Sequence, residues 1–350
     1  MKRYHVDKTM KKERYLKKKI DHIDLEKIKN IEELVKGFQT TSFQSRNIAK
    51  CFQVYRKMAE GDVTIFLGLS GATVPGGMKK IIRDMVKYNL IDVLVSTGAN
   101  LYHDYFESLG SSHYVGSTNV DDNELCSMKI DRIYDTFADD VEFEKTDLLF
   151  GDFAGTLEKR NYSTREFFEE LGRRISDESS IIKACYDYNV PIFCPTIHDS
   201  GIGIGLVVNY IRNKDGFGID LARDNYEIMQ IAKKSKATGV IYLGGGVPKN
   251  YIQQIDPMLA VCGYNSLGHN YAIQITQDSP KGGGLSGCTF SEAKSWGKIE
   301  NISNTATVYT DITIALPLLV GAILEDKKCR GRKKRKFVWE EDKLVDITFY

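Results

Sequence analysis

The stretch Val63-Thr64-Ile65-Phe66-Leu67-Gly68 decides the fold, because this short apolar run leads directly into Leu69-Ser70-Gly71-Ala72-Thr73. A brief apolar run that is rich in β-branched residues and bounded by glycine is typical of a buried parallel strand. The segment from Gly77 to Tyr88 then repeats apolar residues at three-to-four spacing, which predicts a helix. A strand, a glycine turn and a helix form the repeating unit of a doubly wound sheet.

Four further segments have the same character, and they predict the rest of the sheet. They are Val93-Leu94-Val95-Ser96-Thr97, Pro191-Ile192-Phe193-Cys194-Pro195, Gly239-Val240-Ile241-Tyr242-Leu243 and Tyr271-Ala272-Ile273-Gln274-Ile275. Helical spacing recurs between them, for example over residues 220–236. The sequence therefore predicts an α/β fold, a doubly wound and mainly parallel sheet with flanking helices.

The chain divides into three parts by composition. We expect a basic N-terminal segment over residues 1–23, one catalytic domain over 24–326 that opens with a helical segment near 24–60, and a basic C-terminal tail over 327–350. The tail contains a dense run of cations: Lys327, Lys328, Arg330, Arg332, Lys333, Lys334, Arg335 and Lys336. Such a run is either a solvated, mobile segment or an anion-binding one, and we expect the mobile segment.

Composition excludes several classes of protein. The 350 residues carry a net charge of +1, so no global field points to nucleic acid or to a membrane surface. The seven cysteines include no C-x-x-C pair, which argues against a disulfide framework or a zinc site and suits a reducing compartment. Neither a secretory signal nor an apolar run of about 18 residues is present. We expect a cytoplasmic protein with no metal and no nucleic-acid or membrane partner.

Four of the predicted strands end in small or polar clusters. The clusters are Ser70-Gly71-Ala72-Thr73, Ser96-Thr97-Gly98-Ala99-Asn100, Thr196-Ile197-His198-Asp199-Ser200-Gly201 and Gly244-Gly245-Gly246-Val247-Pro248-Lys249-Asn250. Ligands of doubly wound sheets gather at the carboxyl ends of the strands, where phosphates meet backbone N–H groups and the positive ends of helices. No G-x-G-x-x-G fingerprint is present, so the clusters predict an atypical dinucleotide site.

Two aspartates and two histidines near strand ends have two interpretations each. Asp199 either contacts ribose hydroxyls or caps a helix, and Asp311, just before an apolar helix, has the same alternatives. His103 and His198 are expected on strand-end loops, either bonded to backbone or taking part in proton transfer. Their spacing does not match a metal-binding motif.

The candidate for chemistry is Lys298 in the string Ser295-Trp296-Gly297-Lys298, which follows the glycine-rich Gly282-Gly283-Gly284-Leu285-Ser286-Gly287 and Glu292. Trp296 supplies a flat apolar wall, and a lysine beside such a wall loses hydration, which favours its neutral, nucleophilic form. The alternative is a solvated lysine at a helix end, beside a tryptophan of the core.

Several of these strings resemble the deoxyhypusine synthase family, in the expected order over roughly residues 30–325. They are Phe38-Gln39-Thr40-Thr41-Ser42-Phe43-Gln44, Ile91-Asp92-Val93-Leu94-Val95-Ser96-Thr97-Gly98-Ala99-Asn100, Leu243-Gly244-Gly245-Gly246-Val247, Glu292-Ala293-Lys294-Ser295-Trp296-Gly297-Lys298-Ile299 and Val308-Tyr309-Thr310-Asp311. The resemblance implies a Rossmann-like domain that forms a homotetramer, with active sites at a dimer interface. It also implies NAD-dependent transfer of the 4-aminobutyl group of spermidine, through a lysine imine, to an acceptor amine.

The resemblance assigns roles to residues of this chain. Lys298 is implied as the imine-forming lysine, and Asn250 occupies the position of a family histidine that takes a proton from the substrate amine. The substrate would contact Trp296, Glu292, His103, His198 and Leu285. The NAD-contacting positions would be Ser70, Gly71, Thr97, Gly98, Ala99, Asp199, Gly244, Gly245, Gly246, Thr276, Ser286, Thr310 and Asp311.

The departures from the family pattern bear on the acceptor. Asn250 is a poor base, Gly282 to Leu285 lack the polyamine-binding aspartates of eukaryotic members, and Ile204 replaces a further acidic residue. The pattern is similar to the bacterial and archaeal branch, some members of which resemble homospermidine synthases. The acceptor would be either a lysine of translation factor 5A or putrescine, with putrescine slightly favoured. The alternative is a catalytically inactive paralogue that acts as a structural partner subunit.

Overall fold

The computed structural model describes residues 12–214 and 216–350, and the named strands within them are numbered here in chain order. They are β1 Thr64–Leu69, β2 Val93–Ser96, β3 Tyr114–Val115, β4 Ile130–Ile133, β5 Thr136–Asp139, β6 Asn161–Tyr162, β7 Ile192–Phe193, β8 Gly218–Ile219, β9 Thr238–Leu243, β10 Tyr271–Thr276, β11 Thr305–Tyr309, β12 Arg335–Glu340 and β13 Lys343–Phe349.

The α-helices of the same residues are numbered in the same way. They are α1 Ile31–Gly37, α2 Phe43–Glu60, α3 Lys79–Lys87, α4 Gly98–Ser108, α5 Asp122–Ser127, α6 Asp140–Gly155, α7 Thr164–Gly172, α8 Ile181–Asp187, α9 Gly201–Asn213, α10 Leu221–Lys234, α11 Gly246–Gln253, α12 Ile255–Val261, α13 Phe290–Ser295 and α14 Ile312–Glu325. The predicted helices over 77–88 and 220–236 correspond to α3 and α10, and α1 and α2 fall within the helical segment expected near 24–60.

The central sheet has six parallel strands in the order β11-β10-β9-β1-β2-β7. The first strand, β1, lies between β2 and β9, with Phe66 paired to Val93 and to Val240. The predicted α/β fold with a mainly parallel sheet is therefore confirmed. The sixth strand, β11, was not among the five that the sequence predicted.

Two apolar layers cover the sheet. On one face, α2 packs against it through Phe52, Tyr55 and Met58, and the Tyr55 hydroxyl donates to the Leu90 carbonyl at 3.0 Å. On the other face, Phe66 and Tyr242 of the sheet pack with Ile252 of α11 and Phe290 of α13. The strands are buried on both faces, which explains why they appear in the sequence as continuous apolar runs.

The expectation of a mobile tail over residues 327–350 is wrong for most of that segment. β12 and β13 form an antiparallel hairpin, and Phe337 and Leu344 are buried in the core. Two arginines of the basic run are buried in ion pairs: Arg332 with Asp92, and Arg335 with Asp62. The cations at these positions therefore attach the hairpin to the sheet.

A three-stranded antiparallel sheet, in the order β3-β5-β4, lies between α4 and α6 in the chain. The N-terminal basic segment is described from residue 12 onward, and its residues there are mostly exposed. Among residues 12–214 and 216–350, no helix combines the length and the apolar character that crossing a membrane requires.

Candidate active site

The carboxyl ends of the six parallel strands lie at one edge of the sheet, and most of the predicted cofactor-binding residues follow them there. Ser70 and Gly71 follow β1, Thr97 to Ala99 follow β2, Gly244 to Gly246 follow β9, and Thr310 and Asp311 follow β11. The structure thus brings together residues that are up to 241 positions apart (70 to 311) in the sequence.

The triple glycine after β9 is held by contacts that leave no room for a side chain at Gly244 or Gly245. The Ser70 hydroxyl donates to Leu243 O at 2.9 Å and accepts from Gly245 N–H at 2.8 Å. The Ser286 hydroxyl accepts from Gly246 N–H at 2.9 Å, and a Cβ on Gly245 would lie 2.4 Å from the Cα of Ser286. Glycine is therefore required at position 245, and Ser286 belongs to the same cluster as Ser70.

Helix N-termini point to the same edge. Helix α4 begins after Thr97, whose hydroxyl accepts from Asn100 N–H at 3.4 Å, and α14 begins after Asp311, whose carboxylate accepts from Thr313 N–H at 2.8 Å. Helices α9 and α11 begin without a side-chain hydrogen bond from their caps, Ser200 and Gly245. The positive helix ends, and the uncapped N–H groups at the start of α9, fit the phosphates of a dinucleotide such as NAD.

The two aspartates differ in what the structure says of them. Asp311 caps α14 and also accepts a hydrogen bond from Gln277 at 2.7 Å, beside Thr276 and Thr310. Asp199 is exposed, and the cap of α9 is Ser200, so the helix-cap interpretation of Asp199 is wrong. The ribose interpretation of Asp199 stays a prediction.

Lys298 is 9% exposed and follows α13, with its Nζ 3.4 Å from Oδ1 of Asn250 on α11. The same Nζ lies 5.4 Å from the ring centroid of Trp296. Asn250 is four residues beyond Gly246, which is about 6 Å along the helix axis. The two residues predicted for catalysis therefore lie together, about one helical turn from the glycine cluster.

Lys249, the residue before Asn250, was not predicted and is 1% exposed. Its Nζ donates to Cys288 O at 2.6 Å and to Gln274 Oε1 at 3.0 Å. Burial lowers the pKa of Lys249 to about 8. The sequence signal for this residue is weak, because a lysine near a helix start is normally solvated, and its burial depends on residues 25 to 39 positions away.

Cys288 and Glu292 complete the polar side of this region. Burial raises the pKa of the half-buried Cys288 thiol, and the nearby Glu292 carboxylate raises it further. Glu292 itself is exposed in the first turn of α13, where its N–H donates to the Thr289 hydroxyl at 3.1 Å. A carboxylate in this position can attract the ammonium groups of an amine substrate.

His103 lies in α4, and the expectation of a strand-end loop for this residue is wrong. Its Nδ1 is 3.0 Å from Nε2 of His113, whose Nδ1 is 2.8 Å from Glu107. Burial, followed by the charge of His113, lowers the pKa of His103 to about 4. His103 is therefore neutral near pH 7. His198 is exposed and lies on the loop after β7, as expected.

The described chain does not place every predicted residue beside Lys298. β7, which precedes His198 and Asp199, is four strands away from β10 in the sheet, or roughly 19 Å at the usual strand spacing. His103 follows β2, three strands from β10. These three residues are thus separated from Lys298 within one protomer.

The expected apolar wall is open to solvent in the single chain. Trp296 is 67% exposed and Leu285 is 49% exposed, because Trp296 lies beyond the end of α13 and Leu285 lies on the glycine loop. The water-poor pocket that the sequence predicted is therefore incomplete in one protomer. Across the described ranges, no group of three or more His, Cys, Asp or Glu residues is arranged to hold a metal ion.

Comparison with known proteins agrees with these features. The family model for deoxyhypusine synthase matches residues 33–323. A probable deoxyhypusine synthase 2 of Methanosarcina acetivorans is 47% identical over 328 residues, which are 92% of this chain and 95% of that protein. A deoxyhypusine synthase-like protein of Chlorobaculum tepidum is 38% identical over 339 residues, 95% of this chain and 96% of that one.

A solved structure from Entamoeba histolytica that is assigned to deoxyhypusine synthase has the same fold. Its TM-score is 0.58 at 20% sequence identity, and the likeness covers 87% of this chain and 96% of that one. Fold and site together define a Rossmann-like α/β protein with a buried lysine close to a glycine-rich strand edge. The chain belongs to the deoxyhypusine synthase family, whose members are transferases of an aminobutyl group.

Proposed function

We propose that this protein is an NAD-dependent transferase that moves the 4-aminobutyl group of spermidine to an acceptor amine through an imine on Lys298. The observation that carries the proposal is the buried Lys298 amine beside Trp296 and Asn250, about one helical turn from a glycine cluster that fits phosphates. A plain dehydrogenase has no need for such a lysine.

NAD, when bound, would accept a hydride from spermidine and return it to the product imine. The residues that would hold it are the glycines after β1 and β9, Ser70, Ser286, and the N-termini of α4 and α11. Thr276, Thr310 and Asp311 lie at the same edge, after β10 and β11.

The chemistry of this chain's own residues would begin with attack of the Lys298 amine on the oxidised carbon of the donor. The carbon–nitrogen bond to the diaminopropane part then breaks, and that part leaves as a neutral amine with the proton that Lys298 gave up. The acceptor amine next displaces Lys298, which regains its free amine. Asn250 would orient the reacting amine through its side-chain oxygen, while Trp296 would line the alkyl chain.

The acceptor that we favour slightly is putrescine, which would give homospermidine; the other is a lysine of translation factor 5A. Two features support a small amine: Asn250 is no base, and Leu285 stands where other members have an aspartate. We further propose a cytoplasmic homotetramer with sites at a dimer interface, since Trp296 and Leu285 are exposed in the single chain.

The test is to incubate the pure protein with NAD and spermidine labelled in the aminobutyl group, with putrescine, with the factor protein, or with neither. We expect labelled homospermidine and little labelled factor protein. Label in the factor alone, with no reaction or competition by putrescine, would show that the small-amine acceptor is wrong. No transfer to either, together with no borohydride-trapped label on Lys298, would favour the inactive paralogue.

A further inference from the structure

The loop that follows β10 contains three consecutive glycines, Gly282, Gly283 and Gly284, which have no side chains to pack against the rest of the protein. A Cβ added at any of the three would meet no atom within 4 Å. Glycine has the largest conformational freedom of all residues, so such a loop takes a defined position only through contacts made by its neighbours.

Several of those contacts are made by the buried amine of Lys249. Its Nζ donates to the carbonyl of Cys288 at 2.6 Å and lies 3.4 Å from the carbonyl of Ser286, both directly after the glycines. It also donates to Oε1 of Gln274 on β10 at 3.0 Å, and Nε2 of Gln274 donates to the same Ser286 carbonyl at 2.8 Å. The ammonium thus joins α11, β10 and the glycine loop at one point.

A buried ammonium is a costly way to make this junction. Lys249 is 1% exposed, and its lowered pKa of about 8 reflects the loss of hydration. The charges of Cys288, Glu292 and Asp278 partly offset this effect, whereas the like charge of Lys298 adds to it. An apolar residue of the same length would avoid this cost, but it would leave the Cys288 carbonyl and Oε1 of Gln274 without the donor that joins them.

We propose that Lys249 is a positioning residue of the transfer site, which fixes the glycine loop so that Ser286, Leu285 and the segment leading to Lys298 meet the substrates in one arrangement. This inference rests on the proposed aminobutyl transfer. Lys249 acts through the loop and through its neighbour Asn250, and it does not itself form a bond with the substrate.

The test compares Lys249→Met, which keeps the length and removes the charge, with Lys249→Arg, which keeps the charge. The matched control is Lys294→Met, an exposed lysine on α13 that donates to a single carbonyl, that of Glu300, at 2.6 Å. We expect Lys249→Met to lower kcat for transfer by about tenfold or more, with KM for spermidine little changed, because a displaced loop misaligns bound substrates. Lys249→Arg should recover part of the loss, and Lys294→Met should match the wild type.

A second measurement does not depend on transfer. Hydrogen exchange of the amides between residues 282 and 288 should become faster in Lys249→Met, while exchange in β1 and β9 stays as in the wild type. Unchanged exchange in the loop would overturn the proposal whatever the activity. If exchange becomes faster in Lys249→Met but the wild-type protein transfers no aminobutyl group, the anchoring role of Lys249 stands and the proposed reaction is rejected. Faster exchange with wild-type kcat would also overturn the positioning role.

The pH profile gives a third readout. Because the folded-state pKa of Lys249 is about 8, the ammonium loses its proton as the pH rises through that value. The ratio of wild-type kcat to that of Lys249→Met should therefore shrink above about pH 8, and a ratio that stays constant up to pH 10 would contradict the role of the charge.

Discussion

At the scale of single residues, the candidate site pairs a buried lysine with an amide side chain. Oδ1 of Asn250 lies 3.4 Å from the Lys298 amine and can accept a hydrogen bond, but an amide does not remove a proton near neutral pH. The amine of the neighbouring Lys249 donates its hydrogen bonds to the Cys288 carbonyl and to the amide oxygen of Gln274. In the proposed transfer, Asn250 therefore cannot take the proton of the acceptor amine, and another group or water has to accept it.

Lys298 provides the most direct test at this scale. Lys298→Ala should abolish transfer, because no amine remains to form the imine, and Lys298→Arg should also be inactive, because a guanidinium stays protonated and does not attack carbon. The measurement is transfer from labelled spermidine, together with borohydride trapping in the presence of NAD, which should label Lys298 of the wild type.

Two controls make this result specific. Lys294→Ala removes an exposed lysine four positions away and should keep wild-type transfer. NAD binding and subunit mass should be unchanged in Lys298→Ala. Wild-type turnover by Lys298→Ala would remove this residue from the mechanism.

The sequence made Lys298 a candidate but not Lys249, and the reason is physical. Lys298 stands in a string that is unusual by itself, next to a tryptophan and a glycine. Lys249 follows a valine and a proline at a helix start, where lysines are normally solvated. Its burial is set by Gln274 and Cys288, and contacts between distant parts of the chain are not encoded in local pattern.

At the scale of elements, the C-terminal hairpin shows how a charged run can become part of a core. Arg332 donates to Asp92 Oδ1 at 3.1 Å, to Val63 O at 2.8 Å and to Asn89 O at 2.9 Å. Asp92 also accepts from Ile65 N–H at 2.7 Å, so one buried carboxylate connects the hairpin with the start of β1.

Removing one partner of this buried pair should destabilise the protein. Arg332→Ala leaves the carboxylate of Asp92, which is 3% exposed, without its main counter-charge, and we expect a loss of about 3 kcal/mol in the free energy of unfolding. The exposed neighbour Lys333 is the matched control, and Lys333→Ala should change stability by about 0.5 kcal/mol or less. Urea unfolding measures both, and equal effects of the two variants would show that the hairpin is not anchored through Arg332.

The partly buried His103 makes stability depend on pH. Because the pKa of His103 is lowered from 6.5 to about 4, the unfolded state binds more protons between these values, and stability falls as the pH decreases from 6.5 to 4. The shift corresponds to about 3 kcal/mol. Thermal unfolding of His103→Gln should show a shallower loss over this range, whereas the exposed His198→Gln should follow the wild type; identical slopes for all three would contradict the assignment.

The sequence predicted five of the six central strands but not β11 or the hairpin. The segment of β11, Thr-Ala-Thr-Val-Tyr, alternates threonine with apolar residues and is no continuous apolar run, because it is an edge strand that pairs with β10 alone. In the hairpin region, the charged residues Arg332 and Arg335 make the segment look like a solvated run. Their burial depends on pairing with Asp92 and Asp62, which the local sequence does not show. The local sequence pattern predicts strands whose own residues are mostly apolar. It fails where a charged residue is buried only because it pairs with a residue distant in the sequence.

At the scale of the whole molecule, two groups of the predicted site residues lie far apart along the sheet. Lys298, Asn250 and Trp296 lie near β9 and β10, whereas His198 and Asp199 follow the far edge strand β7. The mostly exposed Trp296 also lacks a covering surface. The proposed assembly, in which the neighbouring subunit would supply the second group, accounts for both observations.

This arrangement predicts that two inactive variants restore each other. Lys298→Ala removes the nucleophile, and Asp199→Ala removes a proposed cofactor contact on the other side of the sheet, so each alone should be severely impaired. In a heterodimer of the two variants, one site would combine intact Lys298 from one protomer with intact Asp199 from the other, and the second site would carry both changes. Random mixing gives heterodimers in half of all pairs, so co-expression should recover about a quarter of wild-type transfer.

Light scattering on the same samples should give roughly four times the 39.6 kDa monomer mass, the closed assembly proposed above. The control is co-expression of Lys298→Ala with Asn250→Ala, since both residues lie in the same group and no site of that mixture gains a complete set. Recovery in the first mixture and none in the control would place the site between protomers. A mixture of Lys298→Ala and Asp199→Ala that is no more active than its components, in a sample of correct mass, would show that each protomer works with its own residues alone.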